Sequence, residues 1–164
     1  PYWRIVAGPD ESSQRGRFAV VCKPDARYLP NDPDDSQWVS MPSWRTAQRN
    51  TVYTFQTEFE LDGYDLSTIQ LFGRFLADNG VREVRVNGSP VEVESWVDNQ
   101  SWQEFDHSQF RFVNVTSGLV KGKNVIEIDV WNGIFQEPAQ SRGDPNPMAL
   151  RVEWYAFGRQ TNQL

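Results

Sequence analysis

The sequence feature that most constrains the fold is an alternation of apolar and polar side chains that recurs along the chain. One face of the segment 53–61 is apolar and carries Tyr53, Phe55, Phe59 and Leu61. The other face is polar and carries Thr54, Gln56, Glu58 and Glu60. Successive side chains of a β-strand point to opposite faces of the sheet, so a period of two predicts a half-buried strand.

The same period recurs in later segments, at 69–77, 83–86, 126–131 and 150–156. Polar turn residues separate these segments, and Asn87-Gly88 is a strong hairpin signal. Because no segment shows a helical period of 3.6 residues, we predict an all-β protein, an antiparallel two-sheet β-sandwich of the jelly-roll type. The predicted interior comprises Tyr53, Phe55, Phe59, Ile126, Ile128, Val130, Leu150, Val152 and Trp154.

One of these segments is apolar on both faces. In 69–77, Phe72 and Leu76 lie on the face opposite to Leu71 and Phe75. A strand with two apolar faces is covered on both sides, so this segment predicts a central strand.

The chain length and the aromatic content fit one domain. At 164 residues, with 7 Trp, 10 Phe and 5 Tyr against 2 Met and 1 Cys, the chain can bury a core built from rings. Cys22 has no partner for an internal disulfide, and its flanking run FAVVC predicts a buried, inert thiol. Because the sequence starts at Pro1 rather than at Met, we expect the domain, residues 1–164, to be excised from a longer protein.

The charge and hydropathy patterns exclude two classes of partner. The formal net charge is -6, and the chain has no cluster of Lys and Arg of the kind that nucleic-acid binding requires. No apolar stretch reaches the length of a membrane span. We therefore expect neither nucleic-acid binding nor membrane insertion.

Three runs of sequence carry a resemblance to a known family. They are DNGVREVRVNG, FRFVNVTSGLVKGKNVIEIDVWNG and NPMALRVEW. Together they resemble the galactose-binding-domain-like β-sandwich, an accessory module of bacterial surface and secreted proteins and of sugar-binding domains appended to glycoside hydrolases. The resemblance extends from about Trp38 to Phe157. It implies a jelly-roll fold, a bacterial source, an extracytoplasmic or cell-surface location, and neighbouring domains in the parent chain.

Catalytic signals are weak in this sequence. His107 is the only histidine, and it has neither a nucleophile elbow nor a Cys partner, so a catalytic triad or a zinc hydrolase site has little support. Acidic residues such as Glu83, Glu127 and Asp129 occupy outward strand positions, where solvation of a sheet face explains them. We predict a protein that is not an enzyme, and a small hydrolase with paired acids is the remote alternative.

The acidic run 26–37, ARYLPNDPDDSQ, predicts a loop. Within it, Asp32, Asp34 and Asp35 are candidate ligands for a structural calcium ion, although the spacing lacks the glycine and the distal glutamate of an EF-hand. A solvated acidic loop is the preferred interpretation. We therefore expect no cofactor, with a structural calcium ion as the alternative.

Aromatic residues in polar surroundings are the candidate binding residues. Trp131 falls on the wet face of its strand, whereas Trp96 and Trp102 lie in a polar segment that interrupts the strand rhythm. Sugar rings stack on such side chains, and nearby polar groups can supply directional hydrogen bonds. The predicted ligand-binding set is Trp96, Asp98, Asn99, Trp102, Trp131 and Asn132.

Two functions are compatible with this set. The first is a non-catalytic module that binds carbohydrate or recognises a cell surface within a larger bacterial protein. The second is a structural or interaction domain without a small ligand. The arrangement of Trp96, Trp102 and Trp131, either along one open groove or buried individually, discriminates between them.

Overall fold

The alternating segments form antiparallel strands in a computed structural model, which describes residues 2–9, 16–23, 26–93, 109–133 and 145–161. The strands in these residues are β1 (Arg4–Ala7), β2 (Arg17–Phe18), β3 (Val20–Val21), β4 (Val39–Ser40), β5 (Ala47–Gln48), β6 (Thr51–Glu60), β7 (Gln70–Asp78), β8 (Gly80–Val86), β9 (Ser89–Pro90), β10 (Arg111–Val115), β11 (Lys123–Asn132), β12 (Pro145–Asn146) and β13 (Ala149–Phe157). Two short 3-10 helices occupy Trp44–Thr46 and Leu66–Thr68. Across the described ranges, no helix has the length and apolar character needed to span a bilayer.

The strands form two main sheets. A six-stranded sheet has the order β2-β1-β6-β11-β8-β9, and a five-stranded sheet has the order β10-β7-β13-β4-β3. Every pairing within these sheets is antiparallel. A third, two-stranded sheet joins β12 to β5. The predicted antiparallel sandwich of the jelly-roll type is confirmed.

The core lies between the two main sheets, on the faces that the alternation predicted. Ile128 on β11 is opposite Phe55 on β6 and Val84 on β8, and all three side chains are fully buried. Of the predicted interior, six residues are buried in this core: Tyr53, Phe55, Ile126, Ile128, Val130 and Leu150. Phe59, Val152 and Trp154 are only partly buried where they pack against it. These three lie at one open edge of the sandwich.

The predicted hairpin forms at Asn87-Gly88. Asn87 has φ 51° and Gly88 has φ 78°, values that a two-residue turn between twisted strands requires. The Asn87 side chain also fixes the turn to β11, because its Oδ1 accepts a hydrogen bond from the Val125 N–H at 2.8 Å. The local sequence therefore determines this connection.

The acidic loop and its flanks cover part of the outer face of the five-stranded sheet. Tyr28 and Trp38 pack edge to face at 5.2 Å between ring centroids, and they form a second apolar cluster with Leu76 and Cys22. The prediction of a buried Cys22 thiol is confirmed, and burial raises its pKa to about 12. This segment therefore covers Leu76 on the outer face of the sheet, as the sequence predicted for a strand with two apolar faces.

Candidate functional site

A cavity of about 510 Å³ opens between the two sheets at the edge of β13. Its position follows from the shortness of β4, which pairs with β13 only at Leu150 and Val39. Beyond Leu150, no described strand covers this edge of β13, and the gap between the sheets reaches the surface. We call this cavity the cleft, and its lining includes Tyr2, Trp3, Asp34, Asp35, Glu58, Phe59, Glu153, Trp154 and Tyr155.

Aromatic rings form much of the cleft wall. Trp3, Phe59 and Trp154 are partly buried against the core, so that part of each ring faces the cavity. Tyr2 and Tyr155 are 90% and 46% exposed at its mouth. Such rings combine a rigid apolar surface with low conformational entropy, which suits them to contact a ligand.

Trp154 owes its position to a glycine on the neighbouring strand. Gly73 pairs with Trp154, and a Cβ at residue 73 would lie 2.5 Å from Cζ3 of the indole ring. The benzene edge of the ring therefore lies over Gly73, and the pyrrole edge with Nε1 is on the opposite side. This Nε1 is buried and has no hydrogen-bond partner among the described residues. A buried donor without an acceptor is costly, and this nitrogen is closed off from solvent.

Tyr155 is held by a buried carboxylate. Glu153 Oε2 accepts hydrogen bonds from Arg74 Nε at 2.5 Å and from the Tyr155 hydroxyl at 2.8 Å, while Oε1 accepts one from Ser36 Oγ at 2.5 Å. Burial by itself would raise the pKa of Glu153, but these hydrogen bonds more than offset it and hold the pKa below its usual value. The hydrogen bond to Glu153 raises the pKa of Tyr155.

The cleft has an acidic rim. Asp34, Asp35 and Glu58 line it, and its described lining contains no Lys or Arg. Glu58 forms an exposed ion pair with Lys123 at 2.8 Å. Carboxylate oxygens only accept hydrogen bonds, so they favour hydroxyl and ammonium donors and disfavour anions.

A second set of aromatic rings lies on the outer face of the five-stranded sheet, beyond the part that the acidic loop covers. Phe72, Phe112, Tyr155 and Phe157 are 36%, 53%, 46% and 63% exposed. Phe72 is the cross-strand partner of Tyr155, and its ring centroid lies 6.3 Å from that of Phe157. We call these four side chains the aromatic face. Tyr155 belongs both to the aromatic face and to the cleft.

Most of the residues in the predicted binding set fall outside the described residues: Trp96, Asp98, Asn99 and Trp102. Trp131 is described. It lies on the outer face of the six-stranded sheet, between Val52 and Gly80 on the neighbouring strands, while Val130 is buried. The prediction that it points away from the core is confirmed, and ligand contact by Trp131 stays a prediction. The structure does not place Trp131 in the cleft.

Asn132 is fully buried, so its location differs from that of an exposed binding residue. Its Nδ2 donates to the carbonyl oxygens of Gln48 at 3.0 Å and Asn146 at 3.1 Å, and its Oδ1 accepts from Asn146 Nδ2 at 2.9 Å. Both hydrogens and the oxygen of this amide are therefore engaged in holding β12 and β5 near the end of β11. Ligand contact by Asn132 stays a prediction that this geometry does not support.

The three candidate calcium ligands, Asp32, Asp34 and Asp35, lie in the acidic loop, and calcium binding by them stays a prediction. Asp32 Oδ1 accepts a hydrogen bond from the Asp34 N–H at 3.0 Å, which stabilises the turn. In the part of the chain that the structure describes, no group of three or more His, Cys, Asp or Glu side chains could hold a metal ion. Asp34 and Asp35 also contribute to the cleft rim.

The cleft and the aromatic face were not predicted from the sequence. The alternation assigned Trp154 to the core, and it could not show that β4 leaves this part of the sandwich open. A signal for the aromatic face was present, because Phe72 and Tyr155 occupy strand positions on the same side as polar residues. The criterion applied to Trp131 identifies these residues as well.

Comparison with known proteins gives only remote similarities. The sequence matches no family model, and a search of curated proteins finds no match. A solved family 35 carbohydrate-binding module from an environmental isolate is similar at 13% identity and TM-score 0.40, over 87% of this chain and 88% of that one. A β-glucosidase from Kluyveromyces marxianus, solved in complex with glucose, is similar at 9% identity and TM-score 0.37, over 98% of this chain but 16% of its own.

Proposed function

We propose that this protein is a non-catalytic carbohydrate-binding module and that its ligand enters the cleft. The observation that carries the proposal is the composition of the cleft wall, in which half-buried aromatic rings adjoin carboxylate acceptors. The resemblance of the sequence to galactose-binding-like modules adds the proposal that the domain acts within a larger bacterial protein outside the cytoplasm.

The chemistry of a sugar fits these groups. A pyranose ring presents an apolar C–H face that stacks on an aromatic ring, and its hydroxyl groups both donate and accept hydrogen bonds. In the cleft, Trp3 and Trp154 offer ring surface, and the rim carboxylates offer hydrogen-bond acceptors. Since Glu153 already accepts three hydrogen bonds within the protein, we assign ligand contact to Asp34 and Asp35.

The test is calorimetric titration of the domain with neutral sugars, comparing Trp154→Phe with the original chain. This substitution keeps an aromatic ring but reduces the ring surface in the cleft wall. We expect it to weaken binding about fivefold, which corresponds to roughly 1 kcal/mol of lost ring contact. Trp44→Phe is the matched control, because Trp44 packs in the second apolar cluster and does not line the cleft. Equal affinity of all three proteins would contradict the proposed site.

A second variant examines the site predicted from the sequence. Truncation of Trp131 to Ala should weaken binding by about 1–3 kcal/mol with little change in melting temperature if Trp131 contacts the ligand. If Trp131→Ala abolishes sugar binding and Trp154→Phe has no effect, the binding site lies on the six-stranded sheet. No binding to any sugar would instead favour the structural or interaction domain.

The proposal also excludes turnover. Incubation with the sugars that bind should leave them intact, as judged by chromatography of the recovered ligand. Release of shorter products, lost on substitution of an acidic pair in the cleft, would favour the small hydrolase.

A further inference from the structure

We infer that the ligand is an extended, uncharged oligosaccharide, with one end in the cleft and the following units on the aromatic face. This inference rests on the proposed function and assigns a role to a surface that the cleft alone does not explain. The aromatic face consists of Phe72, Phe112, Tyr155 and Phe157, as defined above.

Tyr155 makes the two surfaces continuous. Its ring lines the mouth of the cleft and is adjacent to Phe72 on the next strand of the same sheet face. Phe112 lies on the third strand, β10, where it is opposite Arg74 and diagonal to Phe72. The rings therefore extend from the cleft across β13, β7 and β10. Because neighbouring strands lie about 4.8 Å apart, this path is roughly 10 Å long, more than a single sugar ring covers.

The exposure of these rings indicates that a ligand or partner covers them. On the same sheet face, Leu76 and Ala149 are buried beneath the acidic loop and its flanks. The loop does not extend over the aromatic face, where each ring is between 36% and 63% exposed. Contiguous exposed apolar surface on a soluble protein marks an interaction site more often than an isolated exposed side chain does.

The charges around the aromatic face favour an uncharged occupant. The charged side chains in the nearest row of the sheet, Arg74 and Glu153, are paired with each other at 2.5 Å. The polar residues among the rings, Asn114 and Gln70, carry neutral amides that both donate and accept hydrogen bonds. At the cleft, Asp34 and Asp35 disfavour a negatively charged sugar. A neutral glycan chain, with apolar ring faces and hydroxyl edges, meets all these conditions.

The experiment measures affinity against chain length. Neutral β-1,4-linked oligosaccharides of glucose, mannose and galactose, from one to six units, are titrated into the domain, and the series that binds is analysed further. We expect affinity to rise with length until the aromatic face is covered, by about 3- to 10-fold for each stacked ring. Acidic oligosaccharides of galacturonic acid should bind more weakly than the neutral series.

Three variants test whether the gain in affinity with chain length comes from the aromatic face. Phe72→Ala and Phe112→Ala should lower the ratio of hexasaccharide to monosaccharide affinity by about 3- to 10-fold each. Phe18→Ala is the matched control, because Phe18 is as exposed as Phe112, at 53%, but lies on the other sheet. This variant should keep the ratio of affinities unchanged. All three residues are exposed, and circular dichroism of each variant verifies that the sandwich is intact.

Several outcomes would overturn the inference. If the monosaccharide binds as tightly as the hexasaccharide, the aromatic face takes no part and only the cleft proposal stands. If no sugar binds at all, both proposals fail. If sedimentation shows that the domain self-associates and that Phe72→Ala abolishes the association, the aromatic face is an interface between copies of this chain.

Discussion

The contact between Gly73 and Trp154 predicts that a glycine-to-alanine substitution, which commonly stabilises a protein, destabilises this one. Replacing a strand glycine by alanine at a position with ordinary backbone geometry normally stabilises a protein by about 0.4–1 kcal/mol, because the unfolded chain loses freedom. Gly73 has no left-handed φ, so its backbone admits alanine. The new Cβ would nevertheless lie 2.5 to 2.8 Å from three carbons of the Trp154 ring.

The ring has to move to accept that methyl group. Overpacking of this kind costs about 1–3 kcal/mol, which exceeds the entropic gain. We therefore expect Gly73→Ala to lower the free energy of unfolding by about 1–2 kcal/mol, as measured by urea denaturation followed by circular dichroism. Because the displaced ring also forms the cleft wall, sugar affinity should fall in the same variant.

A double-mutant cycle isolates the cause. Trp154→Ala alone should cost about 2–3 kcal/mol, less than a fully buried tryptophan, because the ring is only partly buried. In the Trp154→Ala background the Cβ at residue 73 meets no ring. Gly73→Ala should therefore leave the free energy of unfolding unchanged or raise it. The two changes should then be non-additive by about 1–3 kcal/mol. Additive effects, or a stabilising Gly73→Ala in the original chain, would refute this account of how Trp154 is positioned.

Three further predictions concern the core and two buried ionisable groups. Ile128→Ala should lower the free energy of unfolding by about 2–5 kcal/mol in urea denaturation, and a loss below about half a kcal/mol would place Ile128 outside the core. The pKa of Glu153 is lowered from 4.5, so its contribution to stability is present above that value and is lost as the pH falls through the folded pKa. The stability difference between the original chain and Glu153→Gln should therefore shrink below about pH 4.5, and a difference independent of pH would contradict the role of the carboxylate. Cys22, buried and with its pKa raised to about 12, should resist thiol reagents at pH 8 until the chain unfolds, and prompt reaction in the native state would contradict its burial.

Much of the fold was predictable because local patterns determine which side of a strand is buried. The alternation identified the buried faces of β6 and β11, and it placed Trp131 on the outer face correctly. Asn87-Gly88 predicted its hairpin because both residues adopt positive φ readily. The pairing of β6 with β11, some seventy residues apart in sequence, was not readable from either segment, since any two alternating strands could pair.

The candidate site depends on tertiary structure for the same reason. The period of two assigned Trp154 and Val152 to the interior, and both side chains do point toward the core. Their partial exposure depends on β4, which ends after two residues and leaves the edge of β13 uncovered. Equally, the sequence showed that Phe72 and Leu76 share a face, but only the path of the acidic loop buries Leu76 and leaves Phe72 exposed. The sequence by itself determined the direction of each side chain through backbone geometry, whereas coverage by distant segments determined which of those side chains can contact a ligand.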